Sequence, residues 1–283
     1  MAQDRRRRLD LGLLKNVMAL LAKILPNRLT SAYNHSMRNI SQFFGALSCG
    51  LLLAGAELRA DHHEEGFRDL FNGKDLTGWA GNPSLWSVQD GVIRGQTKAE
   101  DPIKHNTFLV WKDGTVDDFE LRFSYKIVTN GEKGAANSGC QYRSKVVDHE
   151  KFIVGGYQAD FEAGTTYSGI LYEERGRGIL AQRGQVTLIK ADSQDPKKTK
   201  VEVIGSVGKT EDIQAGIKAN DWNDYIIIAK GNRLMHIING RVSVDVTDEQ
   251  ASHAAKSGVL AFQLHAGPAM TVEFKNVRIR PLH

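Results

Sequence analysis

Phe119-Glu120-Leu121-Arg122-Phe123-Ser124-Tyr125-Lys126-Ile127 alternates a large apolar residue with a polar one over nine positions. A period of two puts every second side chain on one side of an extended chain, so this segment reads as a strand with one buried face. Upstream, Trp86–Gln89 and Val92–Arg94 flank Asp90-Gly91, a two-residue turn whose twist suits a tight hairpin. Downstream, Tyr225–Ala229, Arg233–Ile238 and Arg241–Val246 are separated by Lys230-Gly231-Asn232 and Asn239-Gly240. Those turn residues predict a meander. Gly258–Leu264 and Thr271–Arg280 add two closing strands, and Asp248–Lys256 alone carries a longer helical period. Ten or more strands without strand–helix–strand alternation predict an all-β fold, a two-sheet antiparallel β-sandwich. No repeat or linker divides 67–283, so one domain is expected there.

The chain has 283 residues, 41% of them apolar and 25% charged, which argues against a disordered, collagen-like or polytopic membrane protein. Its formal charge of +4 is unevenly spread. Residues 1–60 hold nine Lys/Arg against three Asp/Glu, and the remainder 28 against 30. The basic character therefore belongs to the leader, and no nucleic-acid partner is expected for the folded part. Leu9, Leu13, Leu14, Val17, Leu20, Leu21, Ile24 and Leu25 fit an amphipathic helix ended by Pro26. Ile40–Ala56 is uncharged, follows Arg38, and closes on Ala54-Gly55-Ala56, the small-x-small pattern of a signal-peptidase site. Its 17 residues are few for a spanning helix, which needs roughly 20. Residues 1–60 are thus expected to be a helical basic leader and signal peptide, with Met37 as an alternative start, and 61–66 a polar spacer. The mature domain is expected to be periplasmic or secreted, with no stable membrane span after cleavage. Removing Cys49 leaves Cys140 alone, without an internal disulfide, and two thiols exclude a Cys₄ or Cys₂His₂ zinc site.

The segment from Asn130 to Gln185 concentrates polar residues at strand spacing. Gly139–Arg143 sets Cys140 and Tyr142 against Gln141 and Arg143, and Tyr157, Ala159 and Phe161 oppose Gln158 and Asp160. Gly169–Gly178 brackets Tyr172, Glu173, Glu174, Arg175 and Arg177, a solvated charged loop unless something uses it. Gln263 and His265, two apart, share a face amid Phe262 and Leu264. A lone histidine in such a place is more often structural than catalytic.

Together these segments resemble the 3-keto-disaccharide hydrolase domain family. Phe71-Asn72-Gly73-Lys74-Asp75-Leu76-Thr77-Gly78-Trp79, Trp86 and Gly91-Val92-Ile93 look like its opening. Asn137-Ser138-Gly139 with Arg143, Gly156-Tyr157-Gln158, Gly169 with Tyr172, Asp221-Trp222-Asn223, Asn239-Gly240, Gln263 with His265, and Phe274–Ile279 follow in its order. The likeness spans about Phe67–Leu282. Gln158 stands where the family usually has Glu, and Asp160 where it usually has Gln.

The resemblance implies a concanavalin-A-like jelly roll with a concave face suited to a sugar, and action on glycosides oxidised to a ketone at C3. Such a ketone acidifies the C2 proton. A base then makes an enolate that expels the C1 aglycone, and water adds to the double bond. This chemistry needs a base, a donor for the enolate oxygen and groups that hold hydroxyls, but no redox cofactor. His265 suits the base, with Asp160 or Glu173 orienting or replacing it and Arg143 meeting the enolate. Asn137, Gln141, Gln158 and Gln263 are sugar-hydroxyl candidates, and Tyr172 a stacking or donor group. A single divalent metal ion held by an Asp/His/Glu set is the alternative to Arg143. Two other functions stay open: a non-catalytic carbohydrate-binding module, and an ordinary glycosidase pairing Glu173 or Glu174 with Asp160. The spatial relation of His265 and Arg143 discriminates. Should they lie on opposite faces of a sheet, or His265 be sealed in the apolar core, the mechanism with His265 as base and Arg143 at the enolate fails and the binding-module reading moves ahead.

Overall fold

The computed structural model describes residues 65–131 and 134–283; the leader, the signal segment and the Met37 start lie outside the described residues. In chain order the strands are β1 (Arg68–Asp69), β2 (Trp79–Ala80), β3 (Trp86–Gln89), β4 (Val92–Gln96), β5 (Thr107–Trp111), β6 (Phe119–Thr129), β7 (Asn137–Asp148), β8 (Ile153–Glu162) and β9 (Leu171–Glu174). There follow β10 (Gly178–Ala181), β11 (Gln185–Ala191), β12 (Thr199–Ser206), β13 (Asn223–Lys230), β14 (Arg233–Ile238), β15 (Arg241–Asp248), β16 (Val259–Leu264) and β17 (Met270–Pro281). They build two sheets. One has ten strands in the order β12-β11-β15-β14-β13-β6-β17-β4-β3, with β1 beside β17. The other has seven, in the order β10-β9-β8-β7-β16-β5-β2. Pairing is antiparallel except between β11 and β15, which run parallel. The fold is all-β.

The period-two segment is β6, and Phe119, Leu121, Phe123, Tyr125 and Ile127 are all buried. Their side of the ten-stranded sheet meets the inner side of the seven-stranded one. Tyr125 stacks on Phe161 of β8 at 4.1 Å between ring centroids, and Phe274 of β17 on Phe262 of β16 at 3.8 Å. These contacts join the sheets into one aromatic core. The hairpin turns are as the sequence predicts. Asp90-Gly91 and Asn239-Gly240 both adopt positive φ at each residue (50° and 75°, 48° and 77°), the mirror-image turn that matches strand twist.

The predicted helix at Asp248–Lys256 is not formed. Asp248 ends β15, buried against Arg177 and Tyr157, and only a turn follows, with Ala254 N donating to Gln250 O. The one helix among the described residues is instead α1, Thr210–Ala215. None is long and apolar enough to cross a membrane.

The site depends on the outer side of the seven-stranded sheet. The far end of the β7–β8 hairpin arches across β16 to reach β5, where Phe108 N donates to Phe152 O at 2.9 Å and Thr107 Oγ1 to Lys151 O at 2.9 Å. Under this arch Phe108, Val110, Val154 and Ala261 form a small second core. The sheet is thereby curled, and its polar outer side becomes concave.

Candidate active site

On β8 the inner residues Tyr157, Ala159 and Phe161 belong to the core, which leaves Gln158 and Asp160 on the concave side. β9 pairs beside it with Tyr172 opposite Gln158, so Tyr172 and Glu174 share that side. Asn137 opens β7, and His265 follows β16 on the far wall. These residues line one cavity of about 500 Å³, together with Asn106, Glu162, Tyr167, Ile170, Ile179, Ala266 and Pro268. Five sequence candidates meet there: His265, Asp160, Asn137, Gln158 and Tyr172.

Asp160 is the strongest electrostatic feature. Burial penalises its charge, and Glu174 and Glu162 nearby add to the effect. Hydrogen bonds from Gln158 and Asn137 act the other way, but the carboxyl is still pushed up to about 8. At neutral pH it is mostly a neutral acid that can give a proton. Its orientation comes from beneath. Gln141 Nε2 and Gln263 Nε2 both donate to Gln158 Oε1, at 2.6 and 3.0 Å, which turns the Gln158 amino group onto Asp160 Oδ1 at 2.6 Å. Ser144 Oγ donates to Gln141 Oε1 at 2.6 Å and completes the row. Gly139 makes room for it, because a Cβ there would lie 2.6 Å from the Gln158 side chain.

Gln141 and Gln263 are therefore not sugar contacts. Both are fully buried and spend their donors on Gln158, so they are the underside of the floor.

Arg143 lies elsewhere. Strict alternation would put it beside Gln141, but its φ is 48° and the β7–β8 register shifts between Tyr142 and Lys145. A bulge of this kind re-aims a side chain. Arg143 turns toward loops of the ten-stranded sheet, donating to Asp117 O at 2.6 Å, Gly231 O at 2.7 Å and Asp118 Oδ1 at 2.7 Å. It lines a different cavity, with Tyr157, Leu234 and Asp248. The sequence-based pairing of His265 with Arg143 is overturned.

Glu173 is displaced as well. It points inward from β9 and binds Arg177, whose Nε donates to Glu173 Oε2 at 2.6 Å and whose Nη2 reaches Asp248 Oδ2 at 2.7 Å. The pair is buried, not a solvated loop. Glu174, one residue on, lines the cavity in its place.

Asn106 was not signalled by any sequence motif. Its Oδ1 accepts from Ala266 N at 2.9 Å, next to His265, and its Nδ2 donates to Glu174 Oε1 at 3.2 Å. Burial and the nearby Glu174 and Asp160 raise Tyr172, which stays a hydroxyl donor. Among the described residues no three His, Cys, Asp or Glu side chains are grouped to hold a metal ion.

Residues 66–280 match the 3-keto-alpha-glucoside-1,2-lyase-like domain. The chain belongs to that family. The resemblance carried by Asn137-Ser138-Gly139, Gly156-Tyr157-Gln158 and the closing strands is thereby shown, and the family is a carbohydrate-active one. No curated protein matches the chain. Among solved structures it is similar to a candidate glycosyl hydrolase from Parabacteroides distasonis, at 22% identity and a TM-score of 0.47, over 77% of this chain and 95% of that one. It is also similar to a carbohydrate-binding module from Bacillus subtilis, at 16% identity and a TM-score of 0.42, over 72% of this chain and 95% of that one.

Proposed function

We propose that the chain is an exported enzyme that cleaves 3-keto-glycosides by C2 proton abstraction, loss of the C1 aglycone and addition of water. The observation that carries this reading is Asp160, a buried carboxyl held protonated in the same cavity as His265. His265 takes the C2 proton. The C2–H electrons form the enolate with the C3 carbonyl, then the C1=C2 double bond as the C1–O bond breaks. Asp160 gives its proton to the departing oxygen, and water adding across C1=C2 restores the saturated sugar. The Tyr172 hydroxyl takes the enolate-donor role first read onto Arg143. The concanavalin-A-like jelly roll is the form of sandwich that suits this groove.

Two other readings each have an observation in their favour. The cavity lining contains no Lys or Arg among the described residues, so no ammonium or guanidinium meets a developing enolate, which favours the binding module. Asp160 and Glu174 share the cavity, which favours an ordinary two-carboxylate glycosidase. A panel of 3-keto and unoxidised glycosides, read by aglycone release, separates the three. Release from the keto panel alone is expected, with His265→Ala lower by at least about a hundredfold. Release from unoxidised glycosides at equal rate identifies the glycosidase, and binding without release identifies the module.

Export rests on the uncharged Ile40–Ala56 run and the charge break near residue 60. N-terminal sequencing of the mature protein should begin at Glu57 or Asp61. An intact leader on a cytoplasmic product would remove the claim.

A further inference from the structure

β12 stands at the end of the ten-stranded order, with β11 as its neighbour on one edge. Among the described residues most of the strand is uncovered: Thr199 bonds the buried Gln250, but Val201, Val203 and Ile204 are 39, 58 and 59% exposed. A free edge presents a row of backbone donors and acceptors that can take another strand, and natural proteins blunt such edges with proline, charge or a bulge. Here the bulge lies near one end. The β11–β12 register shifts between Val186 and Thr187, which leaves Ile204 unpaired and Thr199–Val203 regular. There is no proline in β12, and its charges do not repel in every arrangement. Lys200 and Glu202 have opposite signs, sit two residues apart on one face, and bridge at 2.9 Å.

We propose that β12 pairs antiparallel with β12 of a second copy of this chain, with Val201 on the two-fold axis. This register matches the regular Thr199–Val203 stretch with itself. It puts Lys200 of each copy opposite Glu202 of the other, and Val201 against Val201. Thr199 and Val203 then meet across the same face. Centring the pair on Glu202 or on Lys200 instead sets like charges directly opposite each other, which is destabilising. The occupant is therefore specified by charge as well as by the unpaired edge. The result is one sheet continued through both copies, an isologous contact that closes at two.

Sedimentation of the purified chain tests this. Apparent mass should rise toward twice the monomer value with concentration. Lys200→Glu alone and Glu202→Lys alone should each stay monomeric, since each creates like-charge pairs at the contact. An equimolar mixture of the two should recover dimer, because the heterodimer again sets opposite charges across both positions. In the otherwise native chain, Val201→Cys should form a 201–201 intermolecular disulfide, identified by peptide mapping. This readout stands even if either charge variant folds poorly. A chain monomeric at every concentration, single variants that dimerise like the parent, a mixture that stays monomeric, or no 201–201 bridge each overturns the proposal.

Discussion

At Arg143 the backbone enters the left-handed region, and the guanidinium is fully buried among acceptors from three loops, Asp117 and Asp118, Gly231, and Ala255. Gly258 permits the bulge, since a Cβ there would lie 2.3 Å from the Arg143 carbonyl carbon. Truncation would leave the Asp117 and Gly231 carbonyls without their donor. Arg143→Ala should therefore cost stability, roughly 3 kcal/mol, and leave turnover per folded molecule unchanged; urea titration and active-fraction kinetics check both. The residues that alternation alone placed, Asn137, Gln158, Asp160 and Tyr172, were legible in the sequence because β7, β8 and β9 are regular where they stand. Arg143 was not, because a one-residue bulge inverts the facing and carries no side-chain signature. Glu173 was misread for a related reason. On a four-residue strand the phase rests on one position, and Leu171 and Glu173 turned out to be the buried pair. The amide at 158 and the acid at 160 work as a pair here. Both lie on one side of β8, and the buried amides of Gln141 and Gln263 donate to Gln158 Oε1, which leaves its amino group for Asp160.

The cavity is a product of strands brought together by curvature. β9 and β5 are separated by β8, β7 and β16, a distance of about 19 Å across a flat sheet at the usual strand spacing. Asn106, just before β5, nevertheless hydrogen-bonds Glu174 at the end of β9. The arching β7–β8 hairpin closes that gap, and Asn106 ties the closed wall to the loop that carries His265. Asn106→Ala should loosen both and lower kcat/KM for the cleaved glycoside by roughly 10–100-fold, as expected for misplaced catalytic groups. Asn106→Asp keeps an acceptor for Ala266 N but opposes Glu174, so it should fall between the two. Equal loss in both variants, or a matching loss of thermal stability, would contradict a positioning role. Sequence patterning gave no access to Asn106, because a contact over 68 positions depends on how far the sheet curls. The strands themselves were readable, since Asp90-Gly91 and Asn239-Gly240 fix turns locally. The false helix at Asp248–Lys256 arose because local periodicity there competes with the buried contacts of Asp248 with Arg177 and Tyr157.

At the scale of the whole fold, among the described residues, two buried groups couple folding to pH in opposite directions between about pH 3 and 8. Asp160 is raised from 3.8 to about 8, chiefly by burial. Between those values the folded chain holds a proton that the unfolded chain has released, so stability falls as pH rises through that window. His236, sealed between the sheets beside Tyr142, is lowered from 6.5 to about 3 by burial. From pH 3 to 6.5 the unfolded chain holds the extra proton, so its contribution makes stability rise with pH. Asp75, Asp148 and Glu202 are shifted downward and act only below about 4.5. The opposing slopes of Asp160 and His236 largely cancel between about 4 and 6.5. Between 6.5 and about 8, among the described residues, Asp160 carries the pH dependence. Thermal stability should therefore be nearly flat from pH 4.5 to 6.5 and decline from 6.5 to 8. In Asp160→Asn the decline should vanish, and the rise due to His236 should appear below 6.5. A parent protein whose melting temperature keeps climbing to pH 8 would mean that Asp160 is ionised in the folded state, and the proton donor of the proposed mechanism would be lost with it.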